Sequence, residues 1–403
     1  MIEKRIIRIG DLKLSNQEKR AIMEVCESNR ITEGKKTIEF EKKWAETIGT
    51  KYAVTVNSGT SGLIAGLYSL KYLANDEKRK KVITTPVTFI STSNAIKLAG
   101  LEPVFGDVDK KTFGLLPSEI ERILDENDPK EFLGILPVHL MGYPCKMNEI
   151  NKIAKQNSLY VFEDAAQAHG TVYFGKKLGS YGDLSNFSFY IAHNIQVGEF
   201  GAVNTNNPDI KNMLKKVKAH GRVCLCERCT RMEGKCPEMK KNSGELNYDP
   251  RYTHDVIGFN FKTNEFMSAL AIERLKYLDI INEKRRKNVK TLNEGLAKFS
   301  EKLQLPKYSE EISYLGYPLI LKQGNLMILR KELESKGIET RNLFGCIPLN
   351  QPSFSYLKKE YKNKLNNAQY LGEKGFFIGC HQELEKEDLD YIIKNFNEIL
   401  NEI

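Results

Sequence analysis

The chain reads as an α/β protein: a mostly parallel sheet with helices on both faces, joined to a second, smaller α/β unit. Three observations predict this. Between residues 52 and 165, short β-rich runs alternate with helical patterns, the signature of parallel strands joined by crossover helices. The 403 residues exceed what one compact core usually needs. After about Asn293 the texture changes to intermixed strands and helices.

In chain order, Ser15 with Glu18 three residues later predicts a capping box opening a helix through AIMEVCES. A second helix is expected near EFEKKWAETI. The strands follow as YAVTV, VITTP, PVFGDV, LGILPV and LYVFEDA. Leu, Ile and Ala at core spacing from Thr263 to Leu296 predict one long helical spine leaving this domain. We therefore expect a large domain over 1–275 and a small C-terminal domain over 276–403. Within the first, residues 222–252 are polar, lack an amphipathic period and hold half of the eight cysteines, so they read as a specialised loop.

Composition narrows the function. With 41% hydrophobic and 28% charged residues the chain is neither disordered nor fibrous. No apolar run approaches the roughly 18 residues of a membrane span, and MIEKRIIRIGDLKLS lacks a secretory core, so a cytoplasmic protein is expected. The net +9 comes from lysines scattered in mixed-sign stretches, and the single Trp offers no stacking platform, which argues against nucleic acid. A basic cleft concentrating a small anionic substrate is compatible with this charge.

Ligands of open parallel sheets sit at the carboxyl ends of the strands. YAVTV ends in Asn57-Ser58-Gly59-Thr60-Ser61 before a helical run, which can cradle a phosphate or simply cap the helix. LYVFED ends in Glu163-Asp164, a place for a carboxylate to hold a protonated heterocycle nitrogen. Phe89 can stack on a flat ring or pack in the core. Ser188 in NFSFY can add a phosphate hydrogen bond or be incidental.

Taken together, NSGTSGL, PVTFISTSNAIKLAGLEPVFGDVD, PVHLMGYPCKM, EDAAQAHG, NFSFYIAHNIQVGEFGAV, GFNFKTNEFMSALAIERL and TRNLFGCIPLNQPSF resemble the sugar aminotransferase and dehydratase family of pyridoxal-phosphate proteins, the DegT/DnrJ/EryC1/StrS type. The resemblance implies the aspartate aminotransferase-like fold type I with a mixed, mostly parallel seven-stranded sheet. It places Gly59, Thr60, Ser61 and Ser188 at the cofactor phosphate, Phe89 on the ring face, Asp164 at the pyridine nitrogen and Gln167 near the ring hydroxyl. It implies that Asn260 reaches the phosphate of the neighbouring subunit of a homodimer with shared active sites. Arg341 and Asn342 fall in the stretch resembling the substrate loop and would meet sugar or diphosphate oxygens, although Arg341 also suits a surface ion pair.

One departure is informative. Aminotransferases of this family carry a lysine after the FSFY strand that holds the cofactor as an imine, and here that position is His193. Imidazole forms no stable imine but is an effective general base. Histidine here resembles the NDP-4-keto-6-deoxysugar 3-dehydratases, which keep the cofactor as pyridoxamine phosphate, and implies loss of the C3 hydroxyl from a nucleotide-linked 4-keto-6-deoxyhexose with His193 as the base. The run EDAAQAHG, in contrast, is worded as in the aminotransferases.

Cys224, Cys226, Cys229 and Cys236 are spaced C-x-C-x2-C-x6-C in the polar loop. In a cytoplasmic chain this favours metal ligation over disulfides, and the tight C-x-C leans toward iron and sulfur, with zinc the alternative. The loop resembles that of the CDP-4-keto-6-deoxy-D-glucose-3-dehydrase branch, which implies a [2Fe-2S] cluster and a flavin and iron-sulfur reductase as partner. That branch takes one ligand from far upstream, where this chain has Ala166. Cys26, Cys145, Cys346 and Cys380 are scattered and read as structural. Alternatives to the dehydratase are a nucleotide-sugar aminotransferase, a glutamate-driven 3-dehydratase with structural zinc, and a non-catalytic regulator on the same scaffold.

Overall fold

The computed structural model describes residues 5–226, 229–241 and 249–402. The first helix, α1 (Asn16–Glu27), opens on the expected capping box: the Glu18 N–H donates to Ser15 Oγ at 3.2 Å, and the Ser15 N–H donates to Glu18 Oε2 at 2.6 Å. Next comes α2 (Lys35–Ile48), which stops at Gly49, a left-handed residue with φ +85°.

An alternation of strand and helix follows: β1 (Tyr52–Val56), α3 (Gly59–Ala74), β2 (Lys81–Thr84), α4 (Ser91–Leu98), β3 (Glu102–Phe105), α5 (Pro117–Asp125), β4 (Phe132–Leu136), α6 (Met147–Gln156) and β5 (Tyr160–Asp164). A small hairpin of β6 (Val172–Tyr173) and β7 (Lys176–Lys177) precedes β8 (Leu184–Ser188), β9 (Gly201–Thr205) and α7 (Pro208–Val217). The seven-stranded sheet has the order β1-β9-β8-β5-β4-β2-β3. Only β9 runs against its neighbours, so the sheet is mixed and mostly parallel, as expected.

The long spine expected from Thr263 to Leu296 is two helices. After the short α8 (Pro237–Lys241) come α9 (Glu265–Leu275) and α10 (Leu278–Leu296), separated by a tight turn in which the Tyr277 N–H donates to the Arg274 carbonyl at 3.0 Å. The break lets α9 pack on α1 and α2 while α10 packs on α14 (Lys386–Glu402). The expected boundary between 275 and 276 falls at this turn.

The smaller unit is a four-stranded antiparallel sheet, β10-β11-β13-β12, made of β10 (Leu303–Gln304), β11 (Tyr317–Leu321), β12 (Arg341–Asn342) and β13 (Gly375–Ile378). Its helices are α11 (Leu326–Ser335), α12 (Lys358–Tyr361), α13 (Asn366–Lys374) and α14. The N-terminal segment, grouped by sequence with the large domain, bonds to this unit: the Ile7 N–H donates to the Gly337 carbonyl and the Glu339 N–H to that of Ile7, both at 2.8 Å. No helix of the described residues is long and apolar enough to cross a membrane.

Candidate active site

A cavity of about 530 Å³ opens where the carboxyl ends of the parallel strands face the smaller unit. The strand β1 delivers the chain to Ser58, the N-cap of α3, whose Oγ accepts the Ser61 N–H at 3.1 Å. The N–H groups of Gly59 and Thr60 are left to the cavity side, at the positive end of a helix dipole. Gly201 presses on the same turn, since a Cβ there would stand 2.6 Å from the Ser58 carbonyl carbon.

Side chains alternate across β5, so Glu163 and Asp164 point to opposite faces. Asp164 enters the cavity, where its Oδ2 accepts the Thr92 hydroxyl at 2.9 Å and its Oδ1 accepts the Ala166 N–H at 3.2 Å. Burial pushes its carboxyl above the usual range. Glu163 faces away and accepts the N–H groups of Gly179, Tyr181 and Gly182 at 2.7–2.8 Å, with the His139 ring at 3.0 Å. Gln167 lines the cavity while its Oε1 accepts the Met141 N–H at 2.8 Å.

Ser188 closes β8, and Asn186 stands two residues earlier on the same strand face. The loop after them is pinned at its root by the Phe189 N–H on the Phe200 carbonyl and the Val197 N–H on the Phe189 carbonyl. Phe40, Trp44, Phe189 and Phe200 pack behind it with ring centroids 5.0–6.1 Å apart. This cluster presents His193 to the cavity beside Tyr190 and Glu199. The His193 ring lies 6.0 Å from that of His169, and burial pushes its imidazole down to about 4.

Of the residues expected from sequence, Gly59, Thr60, Phe89, Asp164, Gln167, Ser188, His193, Arg341 and Asn342 all line this cavity. Phe89 is 56% exposed, which sets aside the core-packing reading, and it meets Phe344 edge to face at 6.1 Å. Arg341 also pairs with Glu339 at 3.0 Å, so the surface ion pair and the cavity position coexist. Ser61 is turned away, its hydroxyl 3.0 Å from Ser58 Oγ, and Ser58 takes the place at the wall. Asn260 does not line the cavity of its own chain; it is exposed, and its carbonyl accepts Asn57 Nδ2 at 3.5 Å.

Sequence reasoning missed Ile9, Asn186, Glu199, Leu315, Phe344 and Phe377. Asn186 was recoverable from its spacing to Ser188. Ile9, Leu315, Phe344 and Phe377 carry no local signal, because long-range folding brings them in.

The donor set fits a flat, phosphorylated pyridine. A helix N-terminus, an exposed aromatic face and a buried carboxylate converge on one cavity. Among the described residues Asn57 Oδ1, both amide atoms of Asn186 and His193 Nδ1 are buried without a hydrogen-bond partner.

The cysteine loop does not reach this cavity. Cys224 and Cys226 line a separate one of about 200 Å³ with Lys218, Arg222 and Lys262. Cys236 is buried, Cys226 and Cys229 are exposed, and all eight thiols are free. Burial and the neighbouring Cys224 and Cys236 raise the Cys226 thiol, so these three interact. Nevertheless, among the described residues no group of three or more His, Cys, Asp or Glu takes up metal-binding geometry, and the expected metal site on Cys224, Cys226, Cys229 and Cys236 is not formed.

The profile of the DegT/DnrJ/EryC1/StrS aminotransferase family matches residues 13–397. The lipopolysaccharide biosynthesis protein RfbH of Salmonella typhimurium is 32% identical over 95% of this chain and 89% of its own length. GDP-perosamine synthase of Escherichia coli O157:H7 is 31% identical over 96% and 97%. The structure of a mutant GDP-4-keto-6-deoxymannose-3-dehydratase with bound GDP-perosamine superposes with a TM-score of 0.83 at 26% identity, covering 96% of this chain and 99% of that one.

Proposed function

The chain belongs to the DegT/DnrJ/EryC1/StrS aminotransferase family, whose members modify nucleotide sugars by aminotransfer or 3-dehydration, and on that premise we propose that it is a pyridoxamine-phosphate-dependent NDP-4-keto-6-deoxyhexose 3-dehydratase. One observation carries this reading: the described wall of the cavity contains no lysine and presents His193 instead. Aminotransfer needs a primary amine on the protein to anchor and release the cofactor, whereas dehydration from the amine form needs only a base.

Bound pyridoxamine phosphate supplies an amine to condense with a sugar ketone and a protonated ring to accept electrons. Gly59 and Thr60 would hold its phosphate through backbone N–H groups, with the Ser188 hydroxyl beside them. Asp164, oriented by Thr92, would keep the ring nitrogen protonated, and Phe89 would cover one face. His193, neutral at physiological pH, takes up a proton at a ring nitrogen and can return it to the departing C3 hydroxyl. Arg341 and Asn342 would meet the nucleotide diphosphate or sugar oxygens, and Asn260 would serve the second subunit of a homodimer.

The reading extends to an iron-sulfur cluster on the four-cysteine loop, with zinc as the alternative and a flavin and iron-sulfur reductase as the electron source. It rests on the C-x-C-x2-C-x6-C spacing and on Cys224 and Cys226 sharing one cavity, and it requires the four thiols to converge from the arrangement described above. Anaerobically purified protein should be brown and carry iron and acid-labile sulfide; a colourless protein with one zinc per chain would leave the dehydratase and remove the cluster.

The deciding experiment incubates the protein with pyridoxamine phosphate and a panel of nucleotide 4-keto-6-deoxyhexoses, with mass spectrometry of the product. Loss of the C3 oxygen, abolished in His193→Asn, is expected. Glutamate-dependent gain of an amine with the C3 oxygen retained would make it an aminotransferase, and a protein that binds cofactor but turns nothing over would be a regulator.

A further inference from the structure

The helix α10 turns three polar side chains, Asn282, Arg285 and Asn288, onto one face at spacings of three residues, and all three are buried. Asn288 Nδ2 donates to the carbonyls of Cys380 and His381 at 3.2 and 2.9 Å. Asn282 Nδ2 donates to the His169 carbonyl at 2.8 Å, and its Oδ1 accepts Asn194 Nδ2 at 3.0 Å. Between them Arg285 is wholly enclosed, at 0% exposure. Its Nη1 donates to the Tyr314 and Leu315 carbonyls at 3.2 and 2.7 Å, and its Nε donates to Gln382 Oε1 at 3.2 Å.

Two features of Arg285 are unusual. A buried guanidinium is normally matched by a carboxylate, yet among the described residues none pairs with it, and its titratable neighbour Cys380 is pushed up to about 11 by burial, so that thiol brings no negative charge. The Tyr314 carbonyl that it holds also accepts Asn194 Nδ2, at 3.4 Å, and Asn194 directly follows His193. Leu315, whose carbonyl it also holds, lines the same cavity as His193. We propose that Arg285 is a positioning residue for His193: it clamps the segment behind the imidazole and imposes on it the field of an uncompensated positive charge.

The groups around His193 make this field consequential. Tyr190, Asp164, Glu199 and Arg341 line the cavity with it, His169 packs against it from the buried aromatic cluster, and Arg285 stands on α10 behind it. Asp164 is engaged by Thr92 and Ala166, and Arg341 by Glu339. His169 is held well below its ordinary range by burial, by His193 and by Arg285, and in either protonation state it supplies no negative charge to offset the arginine. His381, next in sequence to the Gln382 that Arg285 holds, is pushed down to about 4 by burial and by the same arginine. Burial is the first cause that keeps His193 unprotonated as the pH falls, and Arg285 adds to it against the opposing backbone contact of Ser188.

The inference deepens the proposed function, since it matters for catalysis only if His193 is the base, but its test reads the imidazole itself. Protein labelled at the histidine ring carbons is titrated by NMR, with His193→Asn assigning the resonance. In the unsubstituted chain His193 should remain neutral to about 4. Arg285→Gln should raise the midpoint by about one pH unit, and Arg285→Lys, which keeps the charge, should leave it low. Should Arg285→Gln fail to fold, Gln382→Glu gives the guanidinium a carboxylate partner in place of an amide and should produce the same rise. A midpoint unmoved by every folded variant among these would overturn the proposal. If the imidazole moves but the acid limb of the dehydration rate does not follow it, Arg285 keeps its assigned role and His193 loses that of base.

Discussion

Gly59 and Ser188 touch so closely that a Cβ on the glycine would stand 2.5 Å from the Cβ of the serine. That atom is fixed to the backbone of β8 and cannot rotate away, so Gly59→Ala must push the first turn of α3 off the strand. We expect a loss of about 1–3 kcal/mol in stability from overpacking. Affinity for pyridoxamine phosphate should fall roughly tenfold or more as the Gly59 and Thr60 N–H groups shift. Denaturant unfolding and a cofactor fluorescence titration measure the two effects; a variant matching the parent in both would remove this turn from the phosphate site.

In the proposed function His193 takes the place of a covalent anchor, and the described wall of the cavity holds no lysine. Borohydride treatment in the presence of pyridoxal phosphate should leave the parent protein without attached cofactor by intact mass. His193→Lys should be trapped stoichiometrically while losing dehydration by about 100-fold or more, since a general base contributes on that scale. Trapping in the parent, on any lysine, would contradict the proposed function.

Much of this site was legible because it sits at strand ends. The runs that became β1 to β5 are short and apolar, and Asp164, Ser188 and the Gly59 turn follow from where such strands stop. The strand β9 was not read, because GAVNT ends in polar residues. Its Asn204 is fully buried and bonds Thr50 Oγ1 at 2.9 Å, a partner no local pattern shows. The turn between α9 and α10 has neither Gly nor Pro to announce it: the break comes from two helices packing on different bodies. Arg285 was invisible for a related reason, since EKRRK reads as a solvated charge run and only the contacts of α10 with the 314–315 and 380–382 segments show one of its arginines enclosed.

Glu163 shows the same alternation from the other side of β5. Its two oxygens accept four donors, Gly179, Tyr181, Gly182 and His139, so every lone-pair direction is occupied. Glu163→Gln would put an amide NH2 against N–H groups that also donate. The change should cost roughly 3 kcal/mol, the scale of a broken buried charge network. It should also lower turnover, because the neighbouring Asp164 loses its fixed backbone. A urea unfolding midpoint unchanged from the parent would show that the carboxylate is not holding this corner.

Acid sensitivity follows from the neutral imidazoles. His193 and His381 are both pushed down to about 4 in the folded chain, burial being the first cause for each. Unfolded histidine titrates near 6.5, so between about 6.5 and 4 the unfolded chain binds more protons than the native one. The sign is therefore that stability is retained above about 6.5 and falls as the pH drops through this window, each group contributing a slope of about 1.4 kcal/mol per pH unit. His381 is the cleaner probe, being 3% exposed with neither ring nitrogen partnered among the described residues and standing outside the cavity wall. His381→Asn should flatten the fall in unfolding free energy between pH 6 and pH 5 by about that one-proton slope. An unchanged slope would mean that His381 is already protonated in the native protein, and that the positive field of Arg285 does not reach it.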